Sequence, residues 1–190
     1  VSRPGDIKYK DLNHDGVIDS NDQAPIGYNP VPEMTFSLAA GLNWKGIDFS
    51  ILLQGATRSS IYLQQDIAWD NFWGNYYEEH IGRWTPETAA TATYPRFTKA
   101  ATAAHPNYYK SDYWLKDSKY LRLKNIQLGY TIPRKLLKKF GVRSLRVYAN
   151  AYNLFTWDNV KKVDPESPNN SNGQFYPQQK VINFGINLNF

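Results

Sequence analysis

A stretch near the start of the chain, DLNHDGVIDSND at residues 11–22, carries oxygen-bearing side chains at the spacing of an EF-type calcium loop. Such loops take ligands at alternate positions up to the ninth and again at the twelfth, and they turn sharply at a glycine in the sixth. Gly16 stands at that sixth position, and Ile18 is the apolar anchor at the eighth. The predicted metal ligands are Asp11, Asn13, Asp15, Val17 through its backbone carbonyl, Asp19 and Asp22.

Hard oxygen ligands favour Ca2+ over the softer transition metals. Asp22 occupies the position where EF-hands prefer a bidentate glutamate, so we expect weak binding, in the range of extracellular modules. No pair of apolar helices flanks the loop, which leaves a sensor mechanism nothing to open. The predicted role of the ion is therefore structural, and the alternative is an Asp-, Asn- and Gly-rich turn without an ion.

A second candidate surface is a cluster of aromatic residues at 66–84, DIAWDNFWGNYYEEHIGRW. Several of these residues recur at helical spacing, which predicts a short amphipathic helix. Aromatic faces stack on sugar rings or bind a partner protein, while the alternative is that they pack a small core within their own loop. The candidates for ligand or partner contact are Trp69, Phe72, Trp73, Tyr76, Tyr77 and Trp84.

Residues with catalytic chemistry form no arrangement that recommends an enzyme. His14 lies at a non-ligand position of the predicted ion loop, and His80 and His105 have no partner at metal-binding spacing. Glu78 and Glu79 are adjacent, so on a helix they do not point to one reacting centre. The sequence has no cysteine for a thiolate site or a disulfide. We therefore expect a protein that is not an enzyme.

Composition narrows the class of protein further. The 190 residues suit one domain or a piece of a larger protein, and a start at Val1 is compatible with a mature product or a fragment. The net charge of +5 is scattered, without a basic stripe, so we expect no nucleic-acid partner. No apolar run approaches the ~20 residues of a membrane helix. Membrane β-barrels remain compatible with low mean hydropathy, because their strands alternate apolar and polar residues.

Five segments show the alternation of apolar and polar residues that is typical of β-strands. In VINFGINLNF at 181–190, for example, Ile, Phe and Leu alternate with Asn and Gly. Lys45 and Gly46 form a two-residue turn between the first two segments, which predicts a β-hairpin. The predicted strands are about 34–44, 47–55, 121–132, 145–155 and 181–190.

The connections between these strands alternate in length. Short turns lie at 45–46 and 133–144, while long segments occupy 56–120, 156–180 and the leading residues 1–33. Loops this long are uncommon in compact soluble domains, whereas outer-membrane barrels combine short periplasmic turns with long extracellular loops. The polar face carries Asn, Gln, Ser, Thr and Gly rather than Lys and Glu, which favours a wet, crowded lumen. A β-sandwich with its apolar face in a core is the alternative.

Several motifs follow one another in an order that resembles a single family. They are PGDIKYKDLNHDGVID at 4–19, KGIDFSILLQG at 45–55, RW at 83–84, YLRLKNIQLGYTIP at 120–133, LRVYANAYNLFTW at 145–157 and YPQQKVINFGINLNF at 176–190. Together they resemble the C-terminal part of a SusC/RagA-type TonB-dependent outer-membrane transporter of the Bacteroidetes kind. The resemblance covers essentially the whole chain.

The resemblance implies an all-β chain that supplies about the last five antiparallel strands of a transmembrane β-barrel of about 22 strands. Members of this family contain a plug that engages TonB, and they import oligosaccharides or peptides with a SusD-like surface lipoprotein. The implied partners are the remainder of the barrel and plug, that lipoprotein, TonB through an N-terminal part, a glycan or peptide substrate, and outer-membrane lipids. The implied location is the outer membrane of a Gram-negative cell, and Phe190 resembles the family's barrel-assembly signal.

The topology of the family also gives an orientation. Counting strands back from the C-terminus places residues 1–33, with the predicted calcium loop at 11–22, outside the cell. The loops 56–120 and 156–180 lie on the same side, within the barrel region 34–190. Candidates for lining the lumen, or for hydrogen bonding to the plug, are Asp48, Gln54, Asn125, Gln127, Asn183, Asn187 and Asn189. Two rival functions are a soluble, calcium-stabilised β-domain that binds glycans and an adhesin or structural barrel without transport.

Overall fold

A computed structural model describes residues 3–99, 104–161, 163–167 and 175–190. The strands are β1 (Met34–Trp44), β2 (Ile47–Thr57), β3 (Ser60–Tyr62), β4 (Leu115–Asp117), β5 (Tyr120–Thr131), β6 (Ser144–Asp158) and β7 (Val181–Asn189). The α-helix among the described residues is α1 (Arg134–Leu137), and short 3-10 turns lie at Ser20–Asp22, Gln65–Ile67, Glu78–Gly82, Pro106–Tyr108 and Lys138–Phe140. Within these ranges no helix is long and apolar enough to cross a membrane.

The chain divides into two compact units. One, the sheet unit, comprises Asn29–Ser59, Asp117–Glu166 and Tyr176–Phe190. It holds a five-stranded antiparallel sheet in the order β1-β2-β5-β6-β7. The prediction of an all-β chain with about five antiparallel strands is therefore confirmed. The other, the loop unit, comprises Val1–Tyr28, Ser60–Lys116 and Ser167–Phe175.

The bounds of the strands follow the alternation in the sequence, with one clear exception. β1 has its predicted bounds, whereas β6 extends to Asp158 instead of ending near residue 155. A β-bulge interrupts β6, because its pairing with β5 slips between Leu123 and Asn125, and Asn153 adopts a left-handed φ of +50°. The bulge explains why the two faces of β6 are poorly separated in the sequence.

The hairpin between β1 and β2 turns on Lys45 and Gly46. Their φ angles are +49° and +89°, as in the type I′ turn that matches the twist of two-residue hairpins. A Cβ on Gly46 would lie 2.8 Å from the carbonyl oxygen of Thr131, a backbone atom that the sheet holds in place. Glycine at this position is therefore required both by backbone conformation and by space.

One face of the sheet is apolar and exposed. The register aligns apolar side chains of successive strands in rows, so that each row crosses the whole sheet. The exposed fraction reaches 83% for Phe184 and 69% for Ile186, which are large apolar side chains. One such row consists of Leu42, Phe49, Leu128, Ala149 and Phe184, and the next of Trp44, Ile47, Tyr130, Val147 and Ile186.

The opposite face is polar, and its rows alternate with the apolar ones. All of the residues predicted to line a lumen share this face. Two glycines leave room here for large side chains to lie across the sheet: the Arg146 guanidinium covers Gly129, and the Tyr148 ring covers Gly185. One polar row consists of Gly41, Ser50, Gln127, Asn150 and Asn183.

The loop unit has a buried aromatic core of its own. The side chains of this core are between 2% and 5% exposed, and several of the rings are in contact. Pairing of β3 with β4 forms a separate two-stranded sheet. The core residues are Ile61, Leu63, Ala68, Trp69, Tyr94, Tyr108 and Trp114.

The turn between β1 and β2 gives a test of the sheet. Gly46→Ala should destabilise the protein by at least about 1–2 kcal/mol, because alanine resists a left-handed φ and its Cβ meets the Thr131 carbonyl. The midpoint of urea unfolding measures this loss. Gly41→Ala is the matched control, since a Cβ there comes no closer than 3.6 Å to another atom. Equal midpoints for the two variants would contradict the assigned turn.

Candidate functional site

The motif PGDIKY at 4–9 fastens the start of the chain to a distant loop. Gly5 has a φ of +85°, and a Cβ there would lie 2.5 Å from Cδ2 of Trp84. The Gly5 carbonyl accepts a 2.8 Å hydrogen bond from the N–H of Arg96. The carboxylate of Asp6 forms an ion pair with the same arginine, with 2.6 Å between Oδ1 and Nε, and its side chain is only 2% exposed. Gly5 and Asp6 of the motif thus make contacts with residues far along the chain, which the local sequence does not reveal.

Asn107, which is fully buried, is the second anchor of this motif. Its Oδ1 accepts a 2.9 Å hydrogen bond from the N–H of Ile7, and its carbonyl accepts one of 2.8 Å from Nε1 of Trp114. Nearby, the hydroxyl of Tyr9 donates to the carbonyl of Pro106 at 2.6 Å. The leading residues are therefore held by buried polar groups of the loop unit.

The predicted ion loop is folded by hydrogen bonds between its acidic side chains and its own backbone. Asp11 accepts from the N–H groups of His14 at 2.6 Å and Gly16 at 2.9 Å. Asp22 closes the loop from the other end by accepting from the N–H of Asp19 at 2.9 Å. The hydrogen bonds that Asp22 accepts, that from Asp19 foremost, hold its pKa below the ordinary value. Gly16 has a φ of +82°, as the sharp turn requires.

The remaining predicted ligands continue the same pattern. Asp15 accepts from the N–H of Val17 at 2.8 Å, and the Asn13 amide donates to the Asp15 carboxylate at 2.9 Å. In the described part of the chain, no three His, Cys, Asp or Glu side chains are grouped closely enough to hold a metal ion. The loop thus has the sharp turn of an ion loop, while its carboxylates bind backbone N–H groups. Binding of calcium stays a prediction.

The aromatic candidates divide into buried and exposed residues. Trp69 is 3% exposed and packs against Tyr108, with 4.7 Å between ring centroids, so it belongs to the core of the loop unit. Phe72 and Trp84 are half-buried. The exposed members are Trp73 at 83%, Tyr76 at 56% and Tyr77 at 39%.

The predicted amphipathic helix around these aromatics is absent, and that prediction is wrong. Residues 71–75 form a tight turn closed by a bridge between Phe72 and Asn75. Asn71, Trp73 and Gly74 all have left-handed φ angles, between +53° and +78°, which a right-handed helix excludes. Asn and Gly favour this conformation, and their presence was the local signal against a helix.

A buried carboxylate at the centre of the loop unit was not singled out from the sequence. Asp70 is fully buried and accepts hydrogen bonds from the hydroxyls of Tyr108 and Tyr94 and from the N–H of Thr98 at 2.9 Å. Burial raises the pKa of both tyrosines, so their hydroxyls remain protonated donors. Asp70 therefore stabilises the loop as a buried acceptor.

His80 is also structural. Its ring is 3% exposed and lies 4.6 Å from the ring of Tyr94, centroid to centroid. Nδ1 accepts from the N–H of Tyr77 at 2.9 Å, which leaves Nε2 to donate to the carbonyl of Ala68 at 3.2 Å. Both ring nitrogens are thus used by the backbone of its own loop.

An ionic network on the polar face of the sheet was likewise missed. Arg122, which is 2% exposed, donates to Asp164 at 2.8 Å, to Thr156 at 2.9 Å and to Glu166. Burial raises the pKa of Asp164, but hydrogen bonds from Arg122 and the Glu166 N–H outweigh it and lower the pKa. The signal in the sequence was an arginine inside a strand on its polar side, because a buried charge needs a carboxylate partner.

A second ion pair crosses the polar face near the β1–β2 turn. Nε of Arg146 donates to the carboxylate of Asp48 at 2.9 Å, across the space that Gly129 leaves open. Asp48 had been predicted on this face, whereas its cationic partner had not. The Arg122 network joins β5 to β6 and to the connection after it, while the Arg146–Asp48 pair spans β5 and joins β6 to β2.

The sequence is similar to TonB-dependent receptors of two bacteria. It is 30% identical to TonB-dependent receptor P26 of Formosa agariphila over an alignment of 203 positions, which covers 98% of this chain and 20% of that protein. Identity to TonB-dependent receptor SusC of Bacteroides thetaiotaomicron is 26% over 190 residues, 99% of this chain and 18% of that protein. The chain thus spans about a fifth of the length of these curated relatives.

The fold is similar to that of a solved transport complex. The match to the RagAB peptide importer in its open-open state has a TM-score of 0.70 and covers 96% of this chain and 20% of that one. Sequence identity over this match is 23%, so the likeness concerns the fold alone. No family model matches the sequence.

The anchor of the leading motif predicts a dependence on pH. Burial raises the pKa of Asp6, but hydrogen bonds from the Arg3 N–H and the Arg96 side chain outweigh it and hold the pKa below 3.8. The ion pair therefore stabilises the loop above about pH 4 and is lost as the pH falls through the lowered pKa. The protection of the residue 3–9 amides from hydrogen exchange, relative to the intrinsic rate at each pH, should fall about ten-fold as the pH drops through the lowered pKa of Asp6.

Substitution separates this carboxyl from the others that titrate in acid. Asp6→Asn should show at neutral pH the low protection of residues 3–9 that the unchanged protein shows only in acid. Glu87→Gln, at an exposed glutamate of the same unit whose pKa is also lowered, is the control and should leave the protection of residues 3–9 unchanged. Slow exchange of these residues in Asp6→Asn at neutral pH would refute the anchoring role.

Proposed function

Because this chain is homologous over its whole length to the TonB-dependent receptors represented by SusC, we propose that it forms membrane-crossing strands of an outer-membrane nutrient importer. In that importer the plug and the contact with TonB lie outside this chain, and TonB opens a path by pulling on the plug. The chain contributes strands, loops and part of the lumen wall. Transport of this kind requires no bond-making by the residues described here.

The observation that carries the proposal is the exposed apolar face of the sheet. Monomeric soluble proteins rarely expose contiguous apolar patches of more than a few hundred square ångströms, whereas lipid makes such a face favourable. β1 and β2 each have 11 residues and β7 has 9, which are lengths that cross a bilayer at a tilt. The polar rows on the other side suit a wet interior.

Aromatic residues at both ends of the apolar face support the same placement. Trp44 and Tyr130 lie in one row, and Nζ of Lys45 lies 4.9 Å from the centroid of the Trp44 ring. At the other end of the strands, Phe155 and Trp157 stack with 6.2 Å between centroids. Aromatic rings with basic neighbours are typical of the two membrane–water interfaces.

The two edges of the sheet support its being part of a larger barrel. Among the described residues, β1 pairs only with β2 and β7 pairs only with β6. Long edge strands with free backbone groups invite pairing with further strands, and a closed barrel has no edges. Phe190, which is 75% exposed after β7, fits the role of the barrel-assembly signal.

The cargo and the surface partner follow from the relatives. The solved RagAB complex is a peptide importer. The resemblance to SusC/RagA-type transporters implies oligosaccharides or peptides, so the proposed cargo is one of these two. A SusD-like surface lipoprotein is the proposed partner. The exposed rings of Trp73, Tyr76 and Tyr77 are candidates for its docking surface or for contact with cargo.

Calcium is proposed as a structural ion of the loop at residues 11–22. The support is the ordered set of six oxygen ligands and the left-handed turn at Gly16. Each carboxylate oxygen that accepts one N–H keeps a lone pair for a cation. The ion would offset half of the negative charge of the four aspartates of the loop, which are Asp11, Asp15, Asp19 and Asp22.

The rival function, a soluble calcium-stabilised domain that binds glycans, has a distinct signature. Such a domain would be monomeric, folded and heat-stable without detergent or partner strands. The proposed importer requires the opposite, because this chain alone exposes an apolar face and two edges. A plug and a TonB box upstream in the full-length protein would exclude a barrel without transport.

Two adjacent substitutions test the orientation of the sheet in the membrane. Ile182 lies on the apolar face opposite Ala151, the central residue of β6, and Asn183 lies on the polar face. Ile182→Arg should lower the stability of the assembled barrel by about 2–4 kcal/mol, while Asn183→Arg should cost much less. Heat-modifiable migration of the full-length protein measures the assembled fraction. Equal losses in the two variants would refute a lipid-facing apolar surface.

Chelation tests the proposed ion. Removal of calcium, or Asp11→Ala combined with Asp15→Ala, should expose residues up to 33 to protease while the strands stay intact. With a dissociation constant of about 1 mM, 10 mM calcium would stabilise the loop by about 1.4 kcal/mol. His14→Asn is the control, since this residue is not a ligand and Asn tolerates its left-handed φ of +62°. Identical digestion with calcium and with chelator would exclude a structural ion.

A further inference from the structure

Three donors on one side of β5 surround a single carboxylate. The hydroxyl of Tyr120 donates to Oε1 of Glu166 at 2.7 Å. Nη1 of Arg122 donates to Oε2 of the same residue, and Nζ of Lys124 lies 3.3 Å from that oxygen. The side-chain amide of Gln178 adds a fourth donor at 2.6 Å. We call Tyr120, Arg122 and Lys124 the cradle.

A β-bulge supplies one member of the cradle. The pairing of β5 with both neighbours skips Lys124, since Arg122 and Leu123 are paired and pairing resumes at Asn125. Side chains at alternate positions of a strand share a face, so Tyr120, Arg122 and Lys124 all point to the polar side. Bulges re-aim side chains and occur frequently next to functional sites. The cradle is therefore built on a strand of the sheet, at the point where that strand bulges.

The charge of the cradle matches one carboxylate. Arg122 and Lys124 are cationic. Nη2 of Arg122 forms a salt bridge with Oδ1 of Asp164, at a distance of 2.8 Å. With that aspartate counted and Glu166 left out, the site carries one net positive charge. A monovalent anion with two oxygens, such as a carboxylate, restores neutrality and uses the donors that Glu166 uses now.

Glu166, whose carboxylate occupies the cradle, lies in a segment outside the strands and helices. Residues 163–167 contain neither strand nor helix, and Glu166 and Lys124 keep 24% and 21% of their side-chain surface exposed. An outside carboxylate can thus reach the donors from the polar face. After Glu166 is displaced, the ion pair between Arg122 and Asp164 would still connect residues 164–166 to the sheet.

We propose that the cradle is a carboxylate-binding site, which Glu166 occupies in the absence of ligand and from which a ligand carboxylate displaces it. The Glu166 side chain then leaves the polar face of the sheet, while Asp164 stays paired with Arg122. In the importer this site would hold an acidic group of the cargo on the lumen wall. That last role rests on the proposed function, whereas the binding itself does not.

Acetate is the probe, and the full-length protein in detergent is the sample. Saturation-transfer NMR should detect acetate on the Glu166→Ala protein at millimolar concentration, with a several-fold weaker signal on the unchanged protein, whose own carboxylate competes. Lys124→Gln added to Glu166→Ala should abolish the signal. Glu33→Ala is the matched control, because Glu33 is an exposed glutamate of the same unit, paired with Arg58 at 3.4 Å. It should give no more signal than the unchanged protein.

Hydrogen exchange provides a second readout. Exchange of residues 163–167 should rise about ten-fold in Glu166→Ala and also in Glu166→Gln, which keeps the shape of the side chain and loses its charge. Absence of acetate signal in an assembled Glu166→Ala protein, or an equal signal in Glu33→Ala, would overturn the proposal. The same holds if Lys124→Gln leaves the signal unchanged or sulfate competes as well as acetate. None of these results bears on the orientation test with Ile182 and Asn183.

Discussion

Successive side chains along the five paired strands point to opposite faces of the sheet, and the rest of the structure depends on this two-residue period. Every side chain of the sheet is assigned to one of two faces by its position in the register, and a slip of one residue would exchange the faces. The rows that result are apolar and exposed on one side and polar on the other. Among the described residues of the sheet unit, most of the apolar face has no core to cover it, and the polar face is covered mainly where Arg122 meets residues 164–166. Lipid on one side and a filled lumen on the other satisfy both faces together, as the proposed importer requires.

Departures from this period are the places where the polar face acquires specific chemistry. The bulge at Lys124 brings a third donor to the side of Tyr120 and Arg122, and it does so without breaking the strand. Gly129 has no side chain, which leaves room for the ion pair of Asp48 and Arg146 to cross the sheet. Charged groups are thus placed by local exceptions in the backbone, while the apolar face stays regular.

The sequence alone predicted the fold well, because alternation is a local signal. The all-β class, the five strands and the homology to SusC-type receptors are confirmed. The sequence could not predict contacts between residues far apart in the chain, such as Asp6 with Arg96 and Arg122 with Glu166. No regular spacing in the sequence indicates such pairs. The helix expected around Trp69–Tyr76 failed for a different reason: aromatic density imitated a helical period, and the left-handed Asn71 and Gly74 decided the turn.

The two units are stabilised by different physics, and this bears on which parts can respond to a ligand. The loop unit buries aromatic rings around Asp70 and Asn107 as a water-soluble domain does, so its stability comes from burial within itself. The sheet unit leaves its largest apolar side chains uncovered and depends on surroundings that the chain does not supply. The proposed cation at residues 11–22, or the proposed carboxylate in the cradle, would therefore act on polar contacts in connecting segments. Such an event changes the order of a loop at a cost of a few hydrogen bonds, whereas a change in the strands would disturb an entire row across the sheet.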